Sequence, residues 1–157
     1  MTATCRWCGL VPLYDNGATV AGVVAGLLAH VPHVIVVDDG STDGGPDSLP
    51  ARPDITVVRH PRNRGKGAAV RTGLRTARAL GFSHVVQVDA DAQHDLGDVP
   101  RFLALSAAHP DAVLAGERIW DDNAPRSSRF GHRFGMFWYR LETGDHPLRD
   151  TQCGFRV

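Results

Sequence analysis

Asp89 and Asp91 are separated by one residue and directly follow an apolar run (residues 85–88) that predicts a buried strand. Alternate side chains of an extended backbone point to the same side, so both carboxylates are expected near one point. Carboxylate oxygens are hard ligands that suit Mg²⁺ or Mn²⁺ holding a diphosphate. The alternative is a polar turn in which Asp91 caps a helix that begins near Asp95.

A second acidic pair, Asp38 and Asp39, is followed by Gly40 and Ser41. One of its carboxylates could accept hydrogen bonds from the imide N–H of a nucleobase or from a ribose hydroxyl. The alternative is an ordinary Asp-Gly turn with local capping.

Residues 63–67, with the sequence Asn-Arg-Gly-Lys-Gly, open a predicted helix. Glycines let the backbone approach a phosphate, a helix N-terminus favours anions, and Lys66 adds positive charge. The spacing matches neither a Walker A loop nor a dinucleotide fingerprint. The segment is therefore either an anion site or a solvated turn.

A basic cluster follows the predicted strand at residues 112–115 and contains Arg118, Arg126, Arg129 and Arg133. Together with His132 they could hold a second phosphate or an acidic acceptor. The alternative is a solvated helix face, which is the usual role of a run of charges.

Predicted strands and helices alternate along the chain, which indicates an α/β fold with right-handed crossovers, a mostly parallel central sheet and helices on its faces. The predicted strands are residues 8–13, 33–37, 55–59, 84–88 and 112–115, and the predicted helices are residues 18–30, 68–80, 99–108 and 130–142.

The polar motifs that precede Arg118 all follow the carboxyl end of a predicted strand, where open α/β sheets bind their ligands. These motifs are expected to line one crevice. The sequence shows no internal repeat, low-complexity segment or linker, so residues 1–157 are predicted to form a single domain.

The composition is that of an ordinary globular protein, with 43% hydrophobic and 22% charged residues. Basic and acidic residues number 17 each, so no overall field attracts nucleic acid, and no nucleic-acid partner is expected. Three cysteines fit a reducing compartment better than a disulfide framework. Cys5 and Cys8 lack a second ligand pair at zinc spacing, so Cys8 is interpreted as the start of the first strand.

No apolar run approaches the roughly 20 residues that span a bilayer, and the first residues do not resemble a signal peptide. A cytoplasmic protein is therefore predicted. Aromatic residues surround the basic segment after residue 118 and are best interpreted as core packing. Such a segment could also lie against a membrane, which would make the protein peripheral at the cytoplasmic membrane face.

Five segments, taken together and in order, resemble family 2 glycosyltransferases with the GT-A fold. The likeness is greatest to the dolichol-phosphate mannosyltransferase and polyprenyl-phosphate glycosyltransferase branch. No single segment is specific, but the ordered set is, and it spans essentially the whole chain. The segments are residues 11–16, 36–44, 63–67, 88–95 and 150–156.

The resemblance implies a Rossmann-like three-layer sandwich that binds a UDP- or GDP-sugar. It implies that Pro12, Tyr14 and Asp39 hold the nucleoside and that Lys66 approaches the diphosphate. It also implies that Asp89, Asp91 and Gln93 bind Mg²⁺ or Mn²⁺ and the sugar donor, and that Arg118 and Arg129 bind an acceptor phosphate.

Two departures from the family pattern are visible. Asp15 and Asn16 stand where the family usually has Asn followed by an acid, which affects the expected contacts to the base. Members of the family normally continue beyond the motif at residues 150–156, so we expect this chain to be truncated at its C-terminus relative to them.

The implied reaction is metal-dependent, inverting sugar transfer to a lipid-linked acceptor, such as a polyprenyl phosphate or a glycolipid of the cell envelope, with Asp91 in the catalytic centre. A phosphate acceptor is already an anion, whereas a hydroxyl acceptor would need a general base, for which Asp150 is the candidate. The alternatives are a truncated donor-binding domain without transfer activity and a sugar nucleotidyltransferase.

Overall fold

The computed structural model describes residues 5–117 and 153–157, and within them it contains one four-stranded parallel sheet. The strands are β1 (Trp7–Leu13), β2 (Val34–Asp38), β3 (Ile55–Arg59) and β4 (His84–Gln87), in the spatial order β3-β2-β1-β4. The helices are α1 (Gly17–Leu28), α2 (Lys66–Ala79) and α3 (Val99–Ala108), with short 3₁₀ turns at Gly45–Ser48 and Leu96–Asp98.

The order of the strands creates a reversal point at β1. The chain adds β2 and β3 on one side of β1 and then returns to place β4 on its other side. In α/β sheets such a reversal opens a crevice at the carboxyl ends of the adjacent strands. The motifs after β1 and β4 therefore face each other across this crevice.

Alternate residues of the strands pack into two separate cores, one on each face of the sheet. Val11, Val36 and Val86 face α1 and α3 in the larger core. Leu10 and Ile35 face α2 in the smaller one. Because β1 and β2 are covered on both faces, their sequences are continuous apolar runs, and the predicted three-layer arrangement of helices around a parallel sheet is confirmed.

The predicted strand at residues 112–115 is wrong in its extent. Only Ala115 forms a bridge, and it pairs antiparallel with Arg156. Val113 is 77% exposed, so this stretch lacks the burial that would stabilise a full strand. Arg156 also forms an antiparallel bridge with Gln87, which places residues 153–157 between β4 and residues 114–116.

Several sequence-based predictions fall outside the described residues. These are the helix at residues 130–142, the basic cluster of Arg118, Arg126, Arg129, His132 and Arg133, and Asp150. Within the described residues, no helix is both long enough and apolar enough to cross a membrane.

Candidate functional site

A cavity of about 290 Å³ opens at the carboxyl ends of β1 and β4, close to the lower size limit of about 300 Å³ for ligand pockets. Six of the residues predicted for donor or metal binding line it: Pro12, Tyr14, Asp39, Lys66, Asp89 and Asp91. These residues come from four different loops, and the topology of the sheet brings them together.

Asp89 and Lys66 form an ion pair inside the cavity. The Lys66 Nζ atom donates to Asp89 Oδ2 at 2.7 Å and lies equally close to Oδ1. Asp89 Oδ1 is buried and has no well-oriented hydrogen-bond donor among the described residues. Both oxygens of this carboxylate are therefore close to the Lys66 ammonium group, although only Oδ2 accepts a well-oriented hydrogen bond from it.

The environment of Asp89 favours its ionised form. Burial opposes ionisation, but His94 and Lys66 together hold the pKa of the carboxyl below its ordinary value. His94 Nε2 lies 3.8 Å from Asp89 Oδ2, which is too far for a hydrogen bond, so Lys66 is the closer partner. Asp89 is thus a charged acceptor at neutral pH.

Asp91 lies on the same cavity and is less constrained than Asp89. Its Oδ1 accepts a hydrogen bond from the backbone N–H of Gln93 at 3.1 Å. The cap of the following turn is Asp95, which accepts from Gly97 N, so Asp91 does not have the capping role that was its alternative interpretation. Between Asp91 and Asp95, Ala92 adopts a φ of 59°, and the chain turns at this residue.

Gln93, the third residue predicted to bind metal, is exposed and does not line the cavity. Across residues 5–117 and 153–157, no three His, Cys, Asp or Glu side chains are grouped so that they could hold a metal by themselves. Two carboxylates on one cavity nevertheless fit Mg²⁺ or Mn²⁺, because Mg²⁺ is usually bound by one or two carboxylates together with substrate phosphates. Asp89 Oδ1, which accepts no well-oriented hydrogen bond from the described residues and lies 2.7 Å from Lys66 Nζ, would supply one such ligand position once Lys66 turned to a phosphate.

Asp39 is 2% exposed and organises the neighbouring loop. Its carboxylate accepts hydrogen bonds from the backbone N–H of Arg64 at 3.1 Å and of Gly65 at 2.7 Å. Gly65 adopts a φ of 90°, a backbone conformation that residues other than glycine rarely adopt. Helix α2 begins at the next residue. Asp39 therefore fixes the loop from which Lys66 and the N-terminus of α2 face the cavity.

His60 was not predicted as a site residue, yet it contacts Asp39 directly. Its Nδ1 lies 2.6 Å from Asp39 Oδ1, and its Nε2 lies 2.9 Å from the hydroxyl of Thr72 on α2. Burial opposes ionisation of Asp39, but the hydrogen bonds from His60, Arg64 and Gly65 hold its pKa below the ordinary value. A signal was available in the sequence, since His60 follows β3 directly, just as Asp39 follows the neighbouring β2.

Hydrogen bonds join the loops after β1 and β2. Asp15, with a φ of 48°, accepts from Thr42 N at 2.8 Å, and its own N–H donates to the Ser41 hydroxyl. Asp43 accepts from Gly17 N at 2.6 Å, at the start of α1. The acid at position 15, which departs from the family pattern, thus has a structural role in holding the two loops together.

The C-x-x-C pair does not form a reactive or metal-binding site in the described residues. Cys8 is fully buried in β1, and burial raises the pKa of its thiol to about 12. A thiol with such a pKa stays protonated at neutral pH and does not ligate metal. Its interpretation as a strand residue is confirmed.

Comparison with known proteins places the chain in a family. Residues 10–155 match the family described as glycosyl transferase family 2. The chain is 30% identical to a dolichyl-phosphate beta-glucosyltransferase of Trichomonas vaginalis, over 94% of this chain and 50% of that protein. It is 26% identical to a UDP-N-acetylglucosamine–dolichyl-phosphate N-acetylglucosaminyltransferase of Methanococcus voltae, over 94% and 67% of the two chains.

Solved structures identify the fold. The chain superposes on glucosyl-3-phosphoglycerate synthase of Mycobacterium tuberculosis, crystallised with Mn²⁺, UDP and glucosyl-3-phosphoglycerate, with a TM-score of 0.70. The two are 20% identical over 97% of this chain and 56% of the synthase. The predicted GT-A fold is thereby confirmed. The chain spans about half the length of the synthase and of the Trichomonas relative.

Proposed function

The chain belongs to glycosyl transferase family 2, and we propose that it takes part in the transfer of a sugar from a nucleotide-diphosphate-sugar to a lipid-linked phosphate. One observation carries the proposal: Asp89, Asp91 and Lys66 line one cavity at the N-terminus of α2. Two carboxylates suit a divalent cation, while a lysine and a helix N-terminus suit the phosphates that this cation would accompany.

We propose UDP as the nucleotide of the donor, with GDP as the alternative to be tested beside it. UDP is named for the Methanococcus relative and in the Mycobacterium complex. Tyr14 is 45% exposed and lines the cavity, where it is available to contact a base. Pro12 lines the same cavity, and the buried carboxylate of Asp39 supports the loop that precedes Lys66.

The proposed ligands of Mg²⁺ or Mn²⁺ are Asp89 and Asp91. A bound divalent ion neutralises the charge that develops on the leaving diphosphate. Lys66 now pairs with Asp89, and the diphosphate would compete for the same ammonium group. Gln93 would have to turn inward to join this set, and its role stays a prediction.

The acceptor is proposed to be a polyprenyl phosphate, because the named relatives act on dolichyl phosphate. Its phosphate oxygen would form a bond to the anomeric carbon while the bond to the nucleoside diphosphate breaks, with inversion at that carbon. The phosphate is an anion at neutral pH, so this step needs no general base. Arg118 and Arg129 as acceptor ligands, and Asp150 as a base for a hydroxyl acceptor, stay predictions.

A transfer assay tests this proposal. The chain is incubated with Mn²⁺, UDP-[¹⁴C]glucose or GDP-[¹⁴C]mannose, and either a polyprenyl phosphate or the corresponding polyprenol. We expect radiolabel in the lipid phase only with the phosphate form. Nucleotide binding without transfer would instead identify a donor-binding domain, and labelling of the polyprenol would contradict the phosphate acceptor.

A further inference from the structure

We propose that Gly154 is a positioning residue for the Asp89 carboxylate, an inference that rests on the proposed role of Asp89 in donor binding. Gly154 lies in the return segment, defined as residues 153–157. This segment follows Asp150, the candidate base for a hydroxyl acceptor. The contacts of Gly154 point to the donor side instead, because its backbone lies against Asp89.

The return segment is held on one side by β4. Gln87 N donates to Arg156 O at 2.8 Å, Arg156 N donates back to Gln87 O at 3.1 Å, and the Gln87 side chain donates to Gly154 O at 3.2 Å. On its other side, Gly116 N donates to Phe155 O and Val157 exchanges two backbone hydrogen bonds with Leu114. These bonds place the backbone of Gly154 opposite Asp89, which lies two residues after the end of β4.

The neighbouring residue Phe155 anchors the segment a second time. Its ring is stacked on Phe102 of α3 with 4.4 Å between the ring centroids, and it lies 5.9 Å from the ring of His94. Phe155 is buried in the larger core. Backbone hydrogen bonds hold the return segment on both sides, and the ring of Phe155 is buried. Gly154 therefore cannot move away from Asp89 without breaking several contacts.

The space between Gly154 and Asp89 does not admit a side chain. A Cβ atom at position 154 would lie no more than 2.5 Å from each of the atoms Cγ, Oδ1 and Oδ2 of Asp89. Non-bonded carbon and oxygen atoms do not approach so closely, so one of the two residues would have to shift. The backbone of Gly154 and the ammonium group of Lys66 thus both contact the Asp89 carboxylate and limit the directions in which it can face the cavity.

A double-mutant cycle between Gly154→Ala and Asp89→Ala tests this role, because it isolates the coupling between the two residues. The midpoint of thermal unfolding and the affinity for UDP in the presence of Mn²⁺ are measured for all four proteins. Gly154→Ala is expected to lower the unfolding midpoint of the parent but not that of Asp89→Ala, in which the clashing atoms are absent. In the parent background it should also weaken UDP binding by about 10–100-fold, the usual effect of disturbing the support of a ligand residue.

Gly22→Ala is the matched control, since a Cβ at position 22 of α1 meets nothing within 4 Å. It should leave UDP binding unchanged. Equal losses of thermal stability from Gly154→Ala in both backgrounds would overturn the proposed contact, and parent-like UDP affinity in Gly154→Ala would overturn the positioning role. Failure of the proposed function can be distinguished from failure of the positioning role, because in that case the parent protein itself would not bind UDP.

Discussion

The buried carboxylate of Asp39 accepts hydrogen bonds from three residues and thereby joins the end of β2 to the loop before α2. It accepts from the His60 ring and from the backbone N–H groups of Arg64 and Gly65, and these donors keep it ionised despite its burial. A buried charge is tolerated only when it is hydrogen-bonded in this way. The conformation of the loop that precedes Lys66 therefore depends on the ionisation of Asp39.

We expect Asp39→Asn to lower the free energy of unfolding by about 1–3 kcal/mol at neutral pH, because an amide cannot accept from all the donors that the carboxylate satisfies. The pKa of Asp39 is lower in the folded chain than its ordinary value of 3.8. Its stabilising contribution is therefore complete above the unfolded pKa and is lost as the pH falls through the folded pKa.

Urea unfolding at a series of pH values measures this effect. The difference between the parent and Asp39→Asn should shrink as the pH falls below 3.8. Asp54→Asn serves as the control, since Asp54 pairs with Arg52 at the surface and should have a much smaller effect. A stability difference for Asp39→Asn that stays constant with pH would contradict the account.

Helix α2 links the smaller core to the site. Its buried residues Ala69 and Ala77 pack on the face of the sheet that contains Leu10 and Ile35, while its first residue, Lys66, reaches the cavity. Position 73 is glycine because its backbone lies directly on the Leu10 side chain. The packing of α2 on β1 therefore determines where its N-terminus and Lys66 are placed.

Leu10→Ala should lower the free energy of unfolding by about 2–5 kcal/mol, since Leu10 is fully buried between β1 and α2 and its truncation leaves a cavity. Chemical denaturation monitored by circular dichroism measures the change. Leu74→Ala, at a 48% exposed position of α2, is the control and should lower the free energy of unfolding far less. Equal effects of the two substitutions would show that α2 does not pack as described.

At the scale of the whole molecule, the order β3-β2-β1-β4 brings distant motifs to one edge of the sheet. Much of this could be predicted from sequence. The β-branched runs predicted the ends of β2 and β3 to within one residue. The bounds of α3, Val99–Ala108, are the same as those predicted for the third helix. Buried parallel strands leave such runs because both of their faces are covered. The placement of Asp89, Asp91 and Lys66 on one cavity followed from their positions after strand ends.

The features that sequence reasoning missed depend on pairing between distant segments. The contact of His60 with Asp39 requires the register of β2 with β3, in which Asp38 is opposite Arg59. The contact of Gly154 with Asp89 requires the antiparallel return of residues 153–157, which no local pattern indicates. The extent of the strand at residues 112–115 was overestimated because an apolar run does not reveal whether it is covered.

The cavity at the ends of β1 and β4 is proposed to bind a nucleoside diphosphate together with a divalent metal. Calorimetric titration of UDP and GDP, with and without Mn²⁺, into the parent, Asp91→Ala and the exposed control Asp111→Ala measures this binding. We expect Mn²⁺-dependent binding by the parent and by Asp111→Ala, and loss of that dependence in Asp91→Ala. Unchanged Mn²⁺-dependent affinity in Asp91→Ala, or no binding of either nucleotide by the parent, would contradict it.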